Sequence, residues 1–466
     1  MKIYRGYIAA IAFGGVFIIT LTSGGILDLR HLLRYAEEPI PAYVTHTNIP
    51  THNPITNRGA TLGRVLFYDK NMSFNNTSSC AKCHKQAEDF GDVEIISTGA
   101  LGPPKRHTMR IGFAGMSSEV RAFWNERAVS LEEQATIPIH DGNEHGFSGM
   151  FGLPTFDSLL RKMEGIDYYP ILFNFVYGDS AITEERMQLA IAQFVRSIYA
   201  FDTRYDTGRL TVNSELDDFP NFTVEENLGK RLFNTLPKDG GAGCFQCHVP
   251  PEFGMDPNSL NNGNIGIIHG PEKIDTGVTK APSLRNLITP TGKELGPFMH
   301  DGKFKRLSQV LDHYISLDKK APTPNMDPRL IGPENNIELD DTQKQAIIAF
   351  LKTLVSNRVF TDEKWASPFV NDSLEVIPLM NGVANVRDQH YALDITPNPA
   401  GDYISLGLEK TYYQLRIFNS NGAIVLQKTI SGGDRIEVHA LPDGYYFIQA
   451  DQLGGQKHYS GKIIKL

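Results

Sequence analysis

Cysteine is scarce in this chain: 466 residues hold four, too few for a disulfide scaffold. Basic charge is not in excess either. Lys and Arg number 45 against 53 Asp and Glu, a net charge of −8. That balance argues against a nucleic-acid partner, because phosphate neutralisation needs a basic surface. Beyond the opening residues, no apolar run approaches the roughly 20 residues that a membrane span requires. A hydrophobic share of 41% and a charged share of 21% exclude a disordered chain. The length exceeds one ordinary core, so two or three domains are expected.

The opening MKIYRGYIAAIAFGGVFIITLTSGG sets Lys2 and Arg5 ahead of an apolar stretch from Tyr7 to Leu21, followed by Ser23, Gly24 and Gly25. This is the layout of a secretory signal over residues 1–24, with an uncleaved anchor as the alternative. The mature protein is expected to be exported, into the periplasm or cell envelope or onward to the cell surface or medium.

All four cysteines lie in two copies of one pentapeptide, Cys80-Ala-Lys-Cys83-His84 and Cys244-Phe-Gln-Cys247-His248. An exported chain would ordinarily pair its cysteines as disulfides, but the adjacent histidines change the reading. In Cys-x-x-Cys-His, two thiols form thioethers to a porphyrin and the next residue supplies the proximal imidazole of a c-type haem. Zinc would need four ligands gathered together. Two covalently bound haem c groups are the expected cofactors, with Cys80, Cys83, Cys244 and Cys247 as attachment points and His84 and His248 on the metal.

The repeat extends further. LGRVLF precedes the first motif and LGKRLF the second. Downstream, FWNERAVSLEEQATIPIHDGNEHG and FMHDGKFKRLSQVLDHYISL fall into register when Trp124 is set against His300, which brings Leu131 onto Leu307. Both stretches have helix-forming character with an early Ser. The expected fold is mainly α, with two cytochrome c-like haem domains at 25–205 and 206–358. The same register sets Pro138 opposite Tyr314. Tyrosine can ligate haem iron, whereas proline has no donor. One haem would then be closed by Tyr314 and the other open to a small oxidant; the alternative for Tyr314 is a core tyrosine of an amphipathic helix.

These phrases, with APSLRN, resemble the bacterial di-haem cytochrome c peroxidase family from about Leu62 to Leu354. The resemblance implies that His84 serves the peroxidatic haem and His248 the electron-transfer haem. It makes Glu144 the distal acid-base residue, Gln134 and Pro138 distal-pocket residues, and Trp124 the ring between the haems. Three departures stand out. Where peroxidase members hold a distal histidine the chain reads ISTGALGPP, with His107 further along. Tyr314 stands where they have methionine, as in the MauG-type branch, whose members oxidise protein residues; Met299 is a competing candidate ligand. The usual Trp-Asp-Gly-Arg is WNER. The family also binds calcium through backbone carbonyls, here those of Leu295 and Pro297.

The implied reaction is reduction of hydrogen peroxide to water, with Glu144 moving a proton between the peroxide oxygens and electrons arriving from a small redox protein or other donor. Two other readings stay open: a MauG-like enzyme oxidising a protein or organic substrate, and a di-haem electron carrier with both irons six-coordinate. The resemblance also allows a homodimer.

After LDDTQKQAIIAFLKTLVSN the composition changes. Residues 359–389 lack periodicity and read as a linker. From Tyr391 the text alternates with period two, broken by turns of which Asn421-Gly422 is the clearest, and predicts a small β-sandwich at 390–466. Its pattern of PNPA, LRIFNSNGAIV, LPDGYYFIQ and a final GKIIKL resembles the sorting domain of the type IX secretion system of the Bacteroidetes, which implies the secretion machinery as a partner. A carbohydrate- or partner-binding β module is the alternative.

Overall fold

The phrases LGRVLF and LGKRLF each form the second half of a helix, and each helix meets a partner from far along the chain. The computed structural model describes residues 25–268, 274–318, 321–379, 389–419, 423–452 and 457–466. The expected signal segment and the Asn421–Gly422 turn lie outside the described residues. Contacts divide the chain into two units, the first ending at Pro378 and the second beginning at Leu379.

The helices of the first unit that matter to the site are α1 (Asn57–Tyr68), α2 (Leu131–His140), α3 (Glu184–Arg196), α4 (Val224–Phe233), α5 (Leu307–Ser316) and α6 (Asp341–Lys352). Their starts are written in the sequence. Thr56 caps α1 by accepting from Gly59 N, Thr223 and Glu226 form a capping box on α4, and Asp340 and Gln343 do so on α6, satisfying backbone donors that the first turn leaves unpaired. α1 packs on α3, and α4 on α6. The two crossings are copies. A Cβ on Gly63 would collide with the Ala190 carbonyl and the Phe194 side chain; one on Gly229 would collide with the Ala346 carbonyl and the Phe350 side chain. Glycine is required at both points because backbone meets backbone.

The two expected haem domains join into one unit through buried contacts. Asn286 donates to Asp89 at 2.9 Å, and the His107 N–H donates to the His300 carbonyl at 2.7 Å. Residues 357–378, most of which read as linker, pack against this unit. They hold a short helix, Asn357–Thr361, and a fully buried Trp365 that donates its indole N–H to the Ser197 carbonyl at 3.0 Å. Glu38 accepts from Arg358 at 2.6 and 2.8 Å and from Lys364. Strand β1 (Gly25–Asp28) pairs in parallel with β2 (Leu374–Ile377). One large aromatic and a few charged pairs anchor the segment, which is why it carries no periodic signal. Among the described residues, no helix is long and apolar enough to cross a membrane.

In the second unit the strands are β3 (Gln389–Ala392), β4 (Ile395–Thr396), β5 (Tyr403–Leu406), β6 (Tyr412–Phe418), β7 (Ile424–Ser431), β8 (Arg435–Glu437), β9 (Gly444–Gln452) and β10 (Lys457–Lys465). They form a five-stranded sheet, β3-β10-β9-β6-β7, and a three-stranded sheet, β8-β5-β4. Ile404, Leu406 and Ile436 of the smaller sheet share one apolar core with Tyr413, Leu415, Ile417, Ile448 and Ile463 of the larger. Along β6 the buried residues alternate, as the period-two pattern predicts.

Candidate active site

Cys80–Cys83 form a single helical turn, capped by His84, whose N–H donates to the Cys80 carbonyl at 2.9 Å. The turn brings both thiols and the imidazole to one place, as attachment of a planar macrocycle requires. His84 Nδ1 lies 2.8 Å from the Phe90 carbonyl, which fixes the tautomer and leaves Nε2 to face a metal. The ring is backed by Phe67, centroids 6.4 Å apart. Cys244–Gln246 make a tighter turn ahead of Cys247 and His248. Here the imidazole differs: His248 Nδ1 is buried without a hydrogen-bond partner among the described residues.

Burial pushes the Cys80 and Cys244 thiols up to about 12 and those of Cys83 and Cys247 up to about 11. Neutral thioether sulfur suits such surroundings better than a thiolate metal ligand does. The space beside the second motif tests the fit further. Cys244, His248, Tyr314 and Met299 share the wall of a mostly apolar cavity with about 900 Å³ of non-atom space, part of it open to solvent. Cys244 and Tyr314 pack on the same core as Phe233, Leu311 and Ile347. An apolar slot with the His248 imidazole and the Tyr314 phenol on its lining fits a haem.

Tyr314 lies on α5, and burial raises its phenol pKa. A residue that the sequence did not point to holds it. Asn262 Nδ2 donates to Tyr314 Oη at 3.1 Å and to Met299 Sδ at 3.3 Å. The cavity wall also includes Trp124 and His107. Trp124 is 9% exposed; its indole N–H donates to the His107 carbonyl at 2.8 Å, and its ring centre is 6.2 Å from that of His300. His107 lines this same cavity, and its Nδ1 is 3.2 Å from the Ile95 carbonyl.

On the first side, α2 carries Gln134 and Pro138 four residues apart, hence on one face. The helix runs into a turn in which Asp141 accepts from the N–H groups of Asn143 and Glu144 at 2.8 and 3.2 Å. The Glu144 carbonyl accepts from Ala100 N at 2.8 Å, so the ISTGALGPP segment packs directly on this turn. His145, next in the chain and also missed in the sequence, is buried with Nδ1 2.9 Å from the Met72 carbonyl. The turn is thereby tied to the chain leading into Cys80. Burial pushes the Glu144 carboxyl up to about 7, with Asp141 adding and Arg127 opposing. Its charge acts on both the Cys80 and the Cys83 thiols.

The calcium expectation meets a different cation. The Leu295 carbonyl accepts from Arg110 Nη1 at 3.3 Å, and the guanidinium carbon lies 5.5 Å from the Phe298 ring centre. One of the two carbonyls expected to hold calcium is thus already engaged by a guanidinium, which argues against an ion at Leu295.

Two thiol pairs, each followed by a histidine and one of them opening on an apolar slot, are the fittings of a di-haem c-type cytochrome. Comparison with known proteins agrees. Residues 57–211 match the di-haem cytochrome c peroxidase family and residues 394–465 the secretion system C-terminal sorting domain. The methylamine utilization protein MauG of Methylophilus methylotrophus is 28% identical over 323 residues, covering 66% of this chain and 84% of that protein. Cytochrome c551 peroxidase of Nitrosomonas europaea is 27% identical, over 64% and 80% of the two chains. A solved MauG-like protein associated with microbial copper homeostasis superposes with a TM-score of 0.56 at 26% identity, over 71% of this chain and 98% of that one. The chain carries a region of the di-haem cytochrome c peroxidase family and a secretion system C-terminal sorting domain, and it is a haem oxidoreductase.

Proposed function

We propose that the protein reduces hydrogen peroxide to water at the site of Cys80, Cys83 and His84, and that an external donor resupplies electrons through the site of Cys244, Cys247 and His248. The observation that carries this reading is Glu144: a half-buried carboxyl whose charge acts on the first pair of thiols, with its pKa moved to about 7. Haem, when attached, supplies the iron that takes peroxide at the first site and the electron relay at the second.

The residues do the rest. Ionised Glu144 accepts the proton from the near peroxide oxygen and returns it to the far one, so that water departs; two electrons and two protons in all turn one peroxide into two waters. A pKa near neutral suits a group that must both take and give. His84, with Nδ1 held by the Phe90 carbonyl, is a more electron-rich ligand than an unpartnered imidazole. Pro138 has no side-chain donor that could take a coordination position, and Gln134, on the same face of α2, would stand with it beside an attached haem. Trp124, in the wall of the His248 cavity, is the ring through which electrons would pass between the sites.

A second reading, oxidation of a protein or organic substrate, is favoured by Tyr314, which faces the His248 cavity where a MauG-type ligand would stand. Peroxide titration with an electron donor present tests both. Rapid peroxide consumption coupled to donor oxidation supports the first. Peroxide-driven oxidation of protein residues without donor turnover supports the second. Two low-spin haems inert to peroxide would leave an electron carrier and refute both. The sorting domain suits delivery to the cell surface or medium by a secretion apparatus, which fractionation of cells would test.

A further inference from the structure

The cavity beside His248 presents two candidate metal ligands, Tyr314 and Met299, and one side chain touches both. Asn262 Nδ2 carries two hydrogens; one is directed at Tyr314 Oη, 3.1 Å away, and the other at Met299 Sδ, 3.3 Å away. The amide is not free to turn. Its Oδ1 accepts from Asn264 N at 3.1 Å, and the Asn262 carbonyl lies 3.1 Å from Nε2 of His313, the neighbour of Tyr314 on α5. The preceding residue, Asn261, is fully buried and donates to the Asn264 and Val278 carbonyls at 3.2 and 2.9 Å, fixing the turn from below.

We propose that Asn262 selects the axial ligand of the second haem, favouring the oxygen of Tyr314 over the sulfur of Met299. This rests on the reading of Tyr314 as that ligand. The two hydrogen bonds act in the same sense. A donor to the phenolic oxygen stabilises its anionic, metal-binding form. A donor to the thioether draws on one of its two lone pairs and makes the neutral sulfur of Met299 a weaker donor to a metal. Asn262 is thus a positioning residue, and through the ligand it sets the potential at which electrons enter, since sulfur ligation raises haem potential and anionic oxygen lowers it.

The test uses the full-length di-haem protein and reads ferric absorption, electron paramagnetic resonance and the reduction potential of the second haem. In Asn262→Leu, Tyr314 takes up a proton and leaves while neutral Met299 replaces it. The oxygen-ligand signature gives way to a sulfur one and the potential shifts positive. Adding Met299→Leu removes the sulfur signature. If Asn262→Leu fails to take up its second haem, Asn262→Asp, which keeps the shape and Oδ1 but loses the donor, gives the same reading. The proposal is overturned if these variants keep the wild-type spectrum and potential while Tyr314→Phe changes both. Should Tyr314→Phe change neither, the ligand reading itself falls, and this inference with it.

Discussion

Gly63 of α1 lies directly against the Ala190 carbonyl of α3, with no room between them for a methyl group. Gly229 and Ala346 repeat the relationship in the other half, and Phe194 and Phe350 repeat the third contact. The crossings hold the helices that precede each Cys-x-x-Cys-His turn. Gly63→Ala and Gly229→Ala should each destabilise the protein by about 1–3 kcal/mol through overpacking. Chemical denaturation followed at the haem would measure it, and unchanged midpoints would show that the helices can part without cost.

Glu144 must be ionised to take the first proton, so the peroxide reaction should be slow below pH 7, rise through about 7 and level off above it. Glu144→Gln should lower the rate by roughly 10²- to 10⁴-fold and abolish that inflection. Stopped-flow rates across pH 5 to 9 would decide. An inflection that survives in the variant assigns it to another group.

Trp124→Phe keeps a ring in the wall of the His248 cavity but removes the donor to the His107 carbonyl. Reoxidation of a pre-reduced second haem after peroxide is added should slow, while peroxide binding at the first haem stays as in the wild type. Equal loss in both steps would mean that Trp124 supports the fold and not the transfer.

Arg110 predicts independence from calcium. Metal analysis of the purified protein should find no stoichiometric calcium, and chelator should leave the haem spectra and peroxide rate unaltered. One calcium per chain, with spectral change on its removal, would show that Arg110 leaves the Leu295 carbonyl free in solution.

What could be read from the letters alone divides by kind. Attachment of a macrocycle demands a fixed spacing of thiols and imidazole, so Cys80 to His84 and Cys244 to His248 were legible at once. Tyr314 was legible because a repeat gave it a counterpart in Pro138. Helix α3 was not matched to α6, although AIAQF in one and AIIAF in the other hold equivalent places; a pair of letters at helical spacing is a weak signal without its partner glycine. The holder of His84 is a backbone carbonyl, which leaves no mark in a sequence. Asn262 and Arg110 act across turns and between halves, on partners 52 and 185 residues away, and nothing local announces them. Residues 357–378 escaped because Trp365 and a few charged side chains anchor them without periodicity.

That last segment has a consequence for the order of assembly. Among the described residues, Gly25–Asp28 pairs with Leu374–Ile377, and Trp365 reaches its place under Ser197 only a few residues earlier. A chain emerging N-terminus first therefore holds its first strand unpaired until nearly all of the haem unit has followed, and loops of that length close late because the entropy of closure precedes any gain in contacts. The strand pair acts as a completion latch, shut only on a unit whose haem-bearing halves have both arrived. Pulse-labelled hydrogen exchange during refolding should show the amides of Ile26 and Leu27 gaining protection after those of α1 and α6, and a chain ending at residue 358 should never protect them.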